Sequence, residues 1–305
     1  MAEKYDVIII GAGPGGIFCA YRLLEKRKEL KVLMIEKGRP IEKRVCPKRK
    51  TGVCAGCHPC AITTGFAGAG AFSDGKLSLS PDVGGNLPQI LGYERTKELI
   101  GESDDIYLKF GADTKVYGVD KEKEIRKIRR KAINANLKLV ECPIRHLGTE
   151  EGYKIYSRLQ QHLTEEGVSM RFNTMVKEIL VEEGRAQGVV TDAGETFLAD
   201  EVVCAVGREG ADWFKDKCHE IGIETVPGTV DIGVRVEVKF YSNRVVVDQD
   251  FETSIKGLRA IGDGAGVTRG LQQASANGLS AAESILKRFG TDKQAACGTS
   301  GGRYE

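Results

Sequence analysis

Long apolar runs are missing from this chain, and with them any segment of the roughly 20 residues that a bilayer-spanning helix needs. A basic leader with a small-residue cleavage site is missing too, because a hydrophobic strand, Tyr5 to Ile10, begins almost at once. Aromatic residues make up only 7% of the sequence, with a single tryptophan, and the formal net charge is +2. That balance gives no reason to expect nucleic acid or a membrane as a partner. Cysteine is not scarce, but the count of nine is odd, and four fall between Cys46 and Cys60. A secreted disulfide framework would be spread out and paired, so a reducing, cytoplasmic setting is the expectation.

What is present is a chain of 305 residues, 41% hydrophobic and 29% charged, long enough for a self-sufficient core in one large domain or two ordinary ones. Tyr5 to Ile10 reads as a parallel strand covered on both faces. A helix from about Pro14 to Leu30 follows, then a second strand, Lys31 to Ile35, ending in Glu36-Lys37-Gly38. From Arg39 to Lys50 the sequence turns basic and aperiodic, and a Cys- and Gly-rich loop runs to about Gly85. Residues 94–140 read as helical and highly charged; acids and bases alternate around Ile125 and Ile128, the pattern of a solvated helix face. A helix near 152–166 and a strand at 168–172 come next. Three short alternating segments (176–181, 186–191 and 195–198) predict an antiparallel meander. Further strands are expected at Glu201 to Gly207, across 230–247 and at Leu258 to Ile261. A small-residue helix is expected from Leu271 to Phe289.

The first turn carries the most chemistry. Gly11, Gly13 and Gly16 form a GxGxxG between a strand and a helix, filled in by Pro14 and Gly15. The three glycines serve the tight turn, the approach of backbone to a diphosphate, and close helix–strand packing. The helix N-terminus presents free N–H groups to the phosphates. Glu36 falls twenty residues after Gly16, at the end of the second strand, where a carboxylate accepts hydrogen bonds from ribose hydroxyls and repels a 2′-phosphate. No second GxGxxG follows any later strand, so a separate NAD(P)H-binding unit is not expected; NAD(P)H remains open as a reductant.

The segment Thr253-Ser254-Ile255-Lys256-Gly257-Leu258-Arg259-Ala260-Ile261-Gly262-Asp263 resembles the C-terminal motif of two-domain flavoproteins related to glutathione reductase. Val202 to Gly207 resembles the middle motif of that superfamily. Gly65-Phe66-Ala67-Gly68-Ala69-Gly70-Ala71-Phe72-Ser73-Asp74-Gly75-Lys76-Leu77, with Cys46-Pro47 and Ala260 to Leu271, is similar to the FAD-dependent dehydrogenases of bacteria and archaea. The resemblance implies an α/β fold: a Rossmann-like FAD-binding domain with a central parallel sheet and a small antiparallel meander. It implies FAD as cofactor and an oxidoreductase passing a hydride or electron pair through flavin, with substrate and acceptor open. By the same resemblance Asp263 would bind the ribityl chain, the backbone at Val176 would pair with adenine, and Gly207 would lie on the cofactor. Gly70, Ser73, Asp74 and Lys76 would run along it, Lys37 and Gly262 would flank it, and Gly270-Leu271 would aim a helix N-terminus at the flavin.

The resembled proteins carry a substrate domain that is largely absent here: Asp231 to Val238 runs straight into Lys239 to Arg244. The expected organisation is therefore one FAD-binding domain over 1–290, with a core of 1–45, 151–214 and 240–290. Residues 46–150 are a Cys/Gly-rich loop and helical insertion, 215–239 a remnant of the cap connection, and 291–305 a flexible tail. An FAD-carrying module without turnover of its own is the alternative. Cys46, Cys54, Cys57 and Cys60, with His58 among them, are compatible with a metal or cluster, where a bound cluster would make the chain an electron-transfer flavoprotein, with a redox dithiol, or with ordinary thiols. No metal ligand set and no catalytic residue is assigned, since flavin performs the redox step itself.

Overall fold

A computed structural model describes residues 3–228 and 243–298. The chain opens with β1 (Glu3–Ile10), α1 (Pro14–Lys26) and β2 (Val32–Glu36). An insertion follows, holding α2 (Lys48–Thr51), β3 (Lys76–Ser78), α3 (Leu87–Leu91), α4 (Tyr93–Lys109), α5 (Glu122–Asn134) and β4 (Ile144–His146). The sheet resumes through α6 (Thr149–Glu165), β5 (Ser169–Phe172), β6 (Val176–Glu182), β7 (Arg185–Thr191) and β8 (Thr196–Cys204). The last elements are α7 (Ala211–Glu220), β9 (Thr225–Pro227), β10 (Asn243–Val245), β11 (Leu258–Ala260) and α8 (Leu271–Gly298).

The main sheet runs β5-β2-β1-β8-β7-β6, with β11 pairing to β8. β5, β2, β1, β8 and β11 are parallel, and their central members are buried along nearly their whole length, as the unbroken apolar runs of β1 and β2 require. The fold is therefore the expected α/β arrangement of a parallel sheet and an antiparallel meander. The last segment of the meander and the following parallel strand, separate in the sequence reading, are one strand, β8. β8 pairs β7 antiparallel over Thr196–Leu198 and β11 parallel over Val202–Cys204, while β1 runs beside both halves.

Other boundaries also move. The charged helical region is broken into α4 and α5, with Gly111 at φ 99° and Gly118 at φ 86° between them. α7 had no expected counterpart; it buries Phe214 and Cys218 four residues apart. α8 continues to Gly298 rather than ending at Phe289. The strands expected in 230–242 lie outside the described residues.

α8 packs across α1 and α4. A β-carbon on Gly278 would lie inside van der Waals contact of the Gly15 carbonyl oxygen and 2.9 Å from the Cys19 amide nitrogen, so the two helices cross at bare backbone. α8 is also clamped to the sheet by charge. Glu201 is ion-paired with Arg259, and Arg288 lies 2.6 Å from Glu201 and 2.8 Å from Glu252. Burial pushes the Glu201 carboxyl up in pKa while the two guanidiniums oppose that rise.

Gly278→Ala is expected to cost about 2–3 kcal/mol by forcing α1 and α8 apart, measured as a lowered urea midpoint with unchanged slope. A midpoint equal to that of the parent would show that the crossing can relax.

Candidate functional site

The C-terminal ends of β2, β1, β8 and β11 stand side by side. Three strand spacings, about 14 Å, separate Glu36 at one end of this row from Gly262-Asp263 at the other. Between them lies the glycine turn. Gly11 has φ 102°, and a side chain there would come within 2.8 Å of the Ala205 carbonyl oxygen at the end of β8. Pro14 opens α1, where its missing N–H costs nothing. Gly16 packs α1 on the Gly11 carbonyl and on Ile9. Gly13 behaves differently, because a β-carbon there would meet nothing within 4 Å. The same is true of Gly207 and Gly270, and Gly262 would meet only the Val206 carbonyl oxygen, at 3.9 Å. These glycines leave room for a ligand against bare backbone.

Glu36 is buried, and its carboxylate is already engaged. Oε2 accepts from the Ala12 amide at 2.9 Å; Oε1 accepts from the Gly38 and Gly65 amides at 2.8 and 3.0 Å. A carboxylate has about four lone-pair directions, so three backbone bonds leave one for a sugar hydroxyl. The segment after β5 closes on the same corner: Asn173 and Thr174 donate their amides to the Gly38 and Glu36 carbonyls at 2.8 and 3.2 Å. Val176, buried at the start of β6, is therefore brought to the Glu36 end of the row.

At the other end, Oδ1 of Asp263 accepts from Thr268 Oγ1 at 2.8 Å and from the Gly270 amide at 3.1 Å. Arg208 Nε lies 3.7 Å from Oδ2. The Gly262 amide donates to Asn277 Oδ1 at 2.9 Å, which fixes the strand end to α8. Leu271 starts α8 directly after Gly270, at this same corner.

The Gly-rich loop folds back over the first turn. The Ala67 amide donates to the Ala12 carbonyl at 2.7 Å, and a β-carbon on Gly68 would lie 3.7 Å from the Gly13 α-carbon. Gly70 is packed rather than open, since a side chain there would meet Leu271 at 2.6 Å and Tyr156 at 3.2 Å. Ser73 closes a tight turn with the Gly70 carbonyl and the Gly75 amide. Asp74 and Lys76 are exposed and lie 3.7 Å from one another. Lys37 is ion-paired with Glu209. The structure thus pairs Lys37 with Glu209 and Lys76 with Asp74.

Sequence reasoning missed the residue that shapes this loop. Arg44 is buried and donates to the carbonyls of Ala61, Ile62, Phe66 and Gly68 at 2.5–3.1 Å, with its guanidinium 4.7 Å over the Phe72 ring. Burial pulls its pKa down to about 10, against the opposing pull of Glu36 and Cys60. Its only sequence signal was its place in the basic run 39–50. Glu209 and Asn277 were missed as well, because each acts on partners far away in the chain.

Cys46, Cys54, Cys57 and Cys60 are free thiols, and among the described residues no group of three or more His, Cys, Asp or Glu is gathered to hold a metal ion. Cys60 is set apart electrostatically: hydrogen bonds from the Thr63 and Ile62 amides and the Thr63 side chain lower its pKa.

A family model described as pyridine nucleotide-disulphide oxidoreductase matches residues 127–280, just over half of the chain and downstream of the glycine turn. An uncharacterised protein of Clostridium beijerinckii is 23% identical over 235 residues, covering 77% of this chain and 36% of that protein. Rhodocoxin reductase of Rhodococcus erythropolis is 34% identical over 100 residues, covering 33% of this chain and 19% of its own length. The chain thus spans about a third or less of these curated relatives. Among solved structures, the 3-ketosteroid-delta4-(5alpha)-dehydrogenase of Rhodococcus jostii RHA1 superposes with TM-score 0.57 at 13% identity, covering 93% of this chain and 97% of that one. This last likeness is one of fold. No helix among the described residues is long and apolar enough to cross a membrane.

Arg44→Met should release four carbonyls together and cost about 3 kcal/mol. Amide exchange in residues 61–68 should accelerate while β1 stays protected; uniform exchange across both would mean that Arg44 does not organise the loop. A second measurement concerns Cys60. Its alkylation rate, followed by peptide mass spectrometry, should reach half-maximum at a lower pH than that of a free cysteine peptide, and coincident profiles would contradict the stabilised thiolate.

Proposed function

The chain belongs to the pyridine nucleotide-disulphide oxidoreductase family and its cofactor is FAD; from that premise we propose that it is an oxidoreductase passing a hydride or electron pair through flavin bound along the row of strand ends. The observation that carries this reading is the strip at Gly13, Gly207, Gly262 and Gly270, open to an added β-carbon and bounded by one carboxylate at each end. Bound flavin supplies the redox chemistry. The chain's own part is to bind and orient it.

Each half of the dinucleotide has a fitting set of groups. The Gly13 backbone and the N-terminus of α1 suit the diphosphate. The remaining lone pair of Glu36 suits a ribose hydroxyl and repels a 2′-phosphate, which favours an unphosphorylated adenosine half. The backbone near Val176 suits adenine. Asp263 suits the ribityl hydroxyls, and the N-terminus of α8 at Gly270-Leu271 stabilises negative charge on a reduced ring by ~0.3–1 kcal/mol.

Residues 1–290 act as one FAD-binding unit in this reading. β9 and β10 pair antiparallel, Pro227 opposite Asn243, so only fifteen residues connect them, far fewer than a substrate domain needs. That short connection favours a second reading, a cofactor-bearing module that meets its substrate together with another polypeptide. NAD(P)H as reductant would in either case dock without a second glycine turn in this chain. The substrate is a small molecule or electron acceptor of unassigned identity.

The purified protein should show oxidised-flavin absorbance or take up FAD on reconstitution. Gly13→Val should lower FAD affinity on the order of 100-fold or more by occupying the strip. The apoprotein's Tm should move little, since the β-carbon at this position meets no protein atom within 4 Å. Equal FAD affinity in parent and Gly13→Val would remove the proposed site. Photoreduction followed by an acceptor screen separates the two readings: turnover by this chain alone supports the enzyme, and stable reduced flavin supports the module.

A further inference from the structure

Residues 117–144 leave the body and return to it at one point. The Tyr117 amide donates to the Ile144 carbonyl at 2.8 Å, and the Ile144 amide donates back to the Tyr117 carbonyl at 3.0 Å. Between these anchors runs a finger whose centre is α5, a helix with no buried residue. Half of the exposed large hydrophobic side chains among the described residues lie here, between Tyr117 and Val140. Ile128, Ile133 and Leu137 are 54%, 63% and 65% exposed. Ile125, Ile128 and Ala132 share one face of α5, and Lys123, Arg126, Lys127 and Arg130 share the other.

Charge is segregated to the same segment. From Tyr117 to Ile144 there are eight basic and four acidic residues, a net of +4, which leaves the remaining chain at −2. The overall +2, from which no membrane partner is expected, averages these two unlike surfaces. Exposed aliphatics beside a dense basic field are costly to maintain in water alone, and together they mark an interaction surface.

We propose that the 117–144 finger docks this protein on an anionic lipid surface, with the isoleucine face of α5 entering the headgroup boundary and the lysines and arginines contacting lipid phosphates. Three features favour lipid over an acidic protein or a nucleic acid. Five of the eight basic residues are lysine, a residue depleted from protein interfaces. The aliphatics are spread over a helix and its flanks, the arrangement of interfacial amphipathic helices. Tyr117 is the segment's single aromatic, too few for the stacking platforms of single-strand binding. The long stems of Lys and Arg can cover apolar surface while their charges reach phosphate.

The test is sedimentation of the full chain, loaded with FAD or as apoprotein, with vesicles of phosphatidylcholine alone and of phosphatidylcholine containing phosphatidylglycerol. Binding is expected only to the anionic vesicles, and it should weaken as salt rises. The double variant Ile125→Ser/Ile128→Ser should bind them about 10-fold more weakly or worse, as should Lys127→Glu/Lys131→Glu. Circular dichroism matching the parent would confirm that both variants fold. Equal sedimentation with neutral vesicles, or none with either, would overturn the proposal. Undiminished vesicle binding by the isoleucine variant would also overturn it, as would tighter binding to an oligonucleotide than to vesicles. FAD retention is read on the same samples, so failure of the docking reading is separate from failure of the flavin reading.

Discussion

One buried carboxylate holds the cofactor edge together. Glu36 gathers amides from three segments: Ala12 in the first turn, Gly38 after its own strand, and Gly65 in the inserted loop. A carboxylate removed from water without donors is very costly, so each of these amides is held in place by the same constraint. The approach is close because a side chain on Gly38 would collide with the Gly65 backbone. Arg44 then secures the rest of that loop through four carbonyls. The backbone that lines the open strip is thus ordered by the protein itself, which lowers the entropic cost of binding an extended ligand there.

The far end is pinned by a separate set of contacts. Asp263 closes the loop from Thr268 to Gly270, and Asn277 takes the Gly262 amide. Both depend on where α8 lies. That helix is fixed by backbone contact with α1 at Gly278 and by the Glu201, Arg259 and Arg288 cluster beneath it. Glu201 and Cys204 belong to β8, which touches β1 on one side and β11 on the other. β1 and β8 together therefore set the distance between Glu36, at the end of β2, and Asp263, after β11, although neither carboxylate lies on them.

This division explains what could be read in the sequence. Gly11, Gly13, Gly16 and Glu36 announce themselves because a turn, a helix start and a strand end are local, and their spacing is dictated by covalent geometry. β8 was split in two because Asp200-Glu201 interrupts its apolar run, and the burial of Glu201 makes sense only with Arg259, 58 residues later. Arg44 was hidden for the same reason: its carbonyl partners are supplied by an irregular loop with no periodicity. Lys37 and Lys76 are expected on the cofactor from the resemblance, and in the fold they pair with Glu209 and Asp74. Positive charge beside a phosphate site is informative only after the protein's own acids have been counted.

The finger shows the same limit from the opposite side. An amphipathic helix with alternating charge reads as a solvated face whenever its apolar stripe is assumed to lie on the body. Only the fold shows that α5 buries nothing and that its root is a two-stranded ribbon, β3 with β4. That root is rigid. Arg145 on β4 makes paired 2.7 Å contacts with both oxygens of Asp104 on α4, and the Leu147 amide donates to the Gly75 carbonyl. β3 is also the direct continuation of the Gly-rich loop that lies over the glycine turn. The insertion packs on the glycine turn at one end, through Ala67 and Gly68, and presents the basic finger at the other, so one continuous piece of chain carries both.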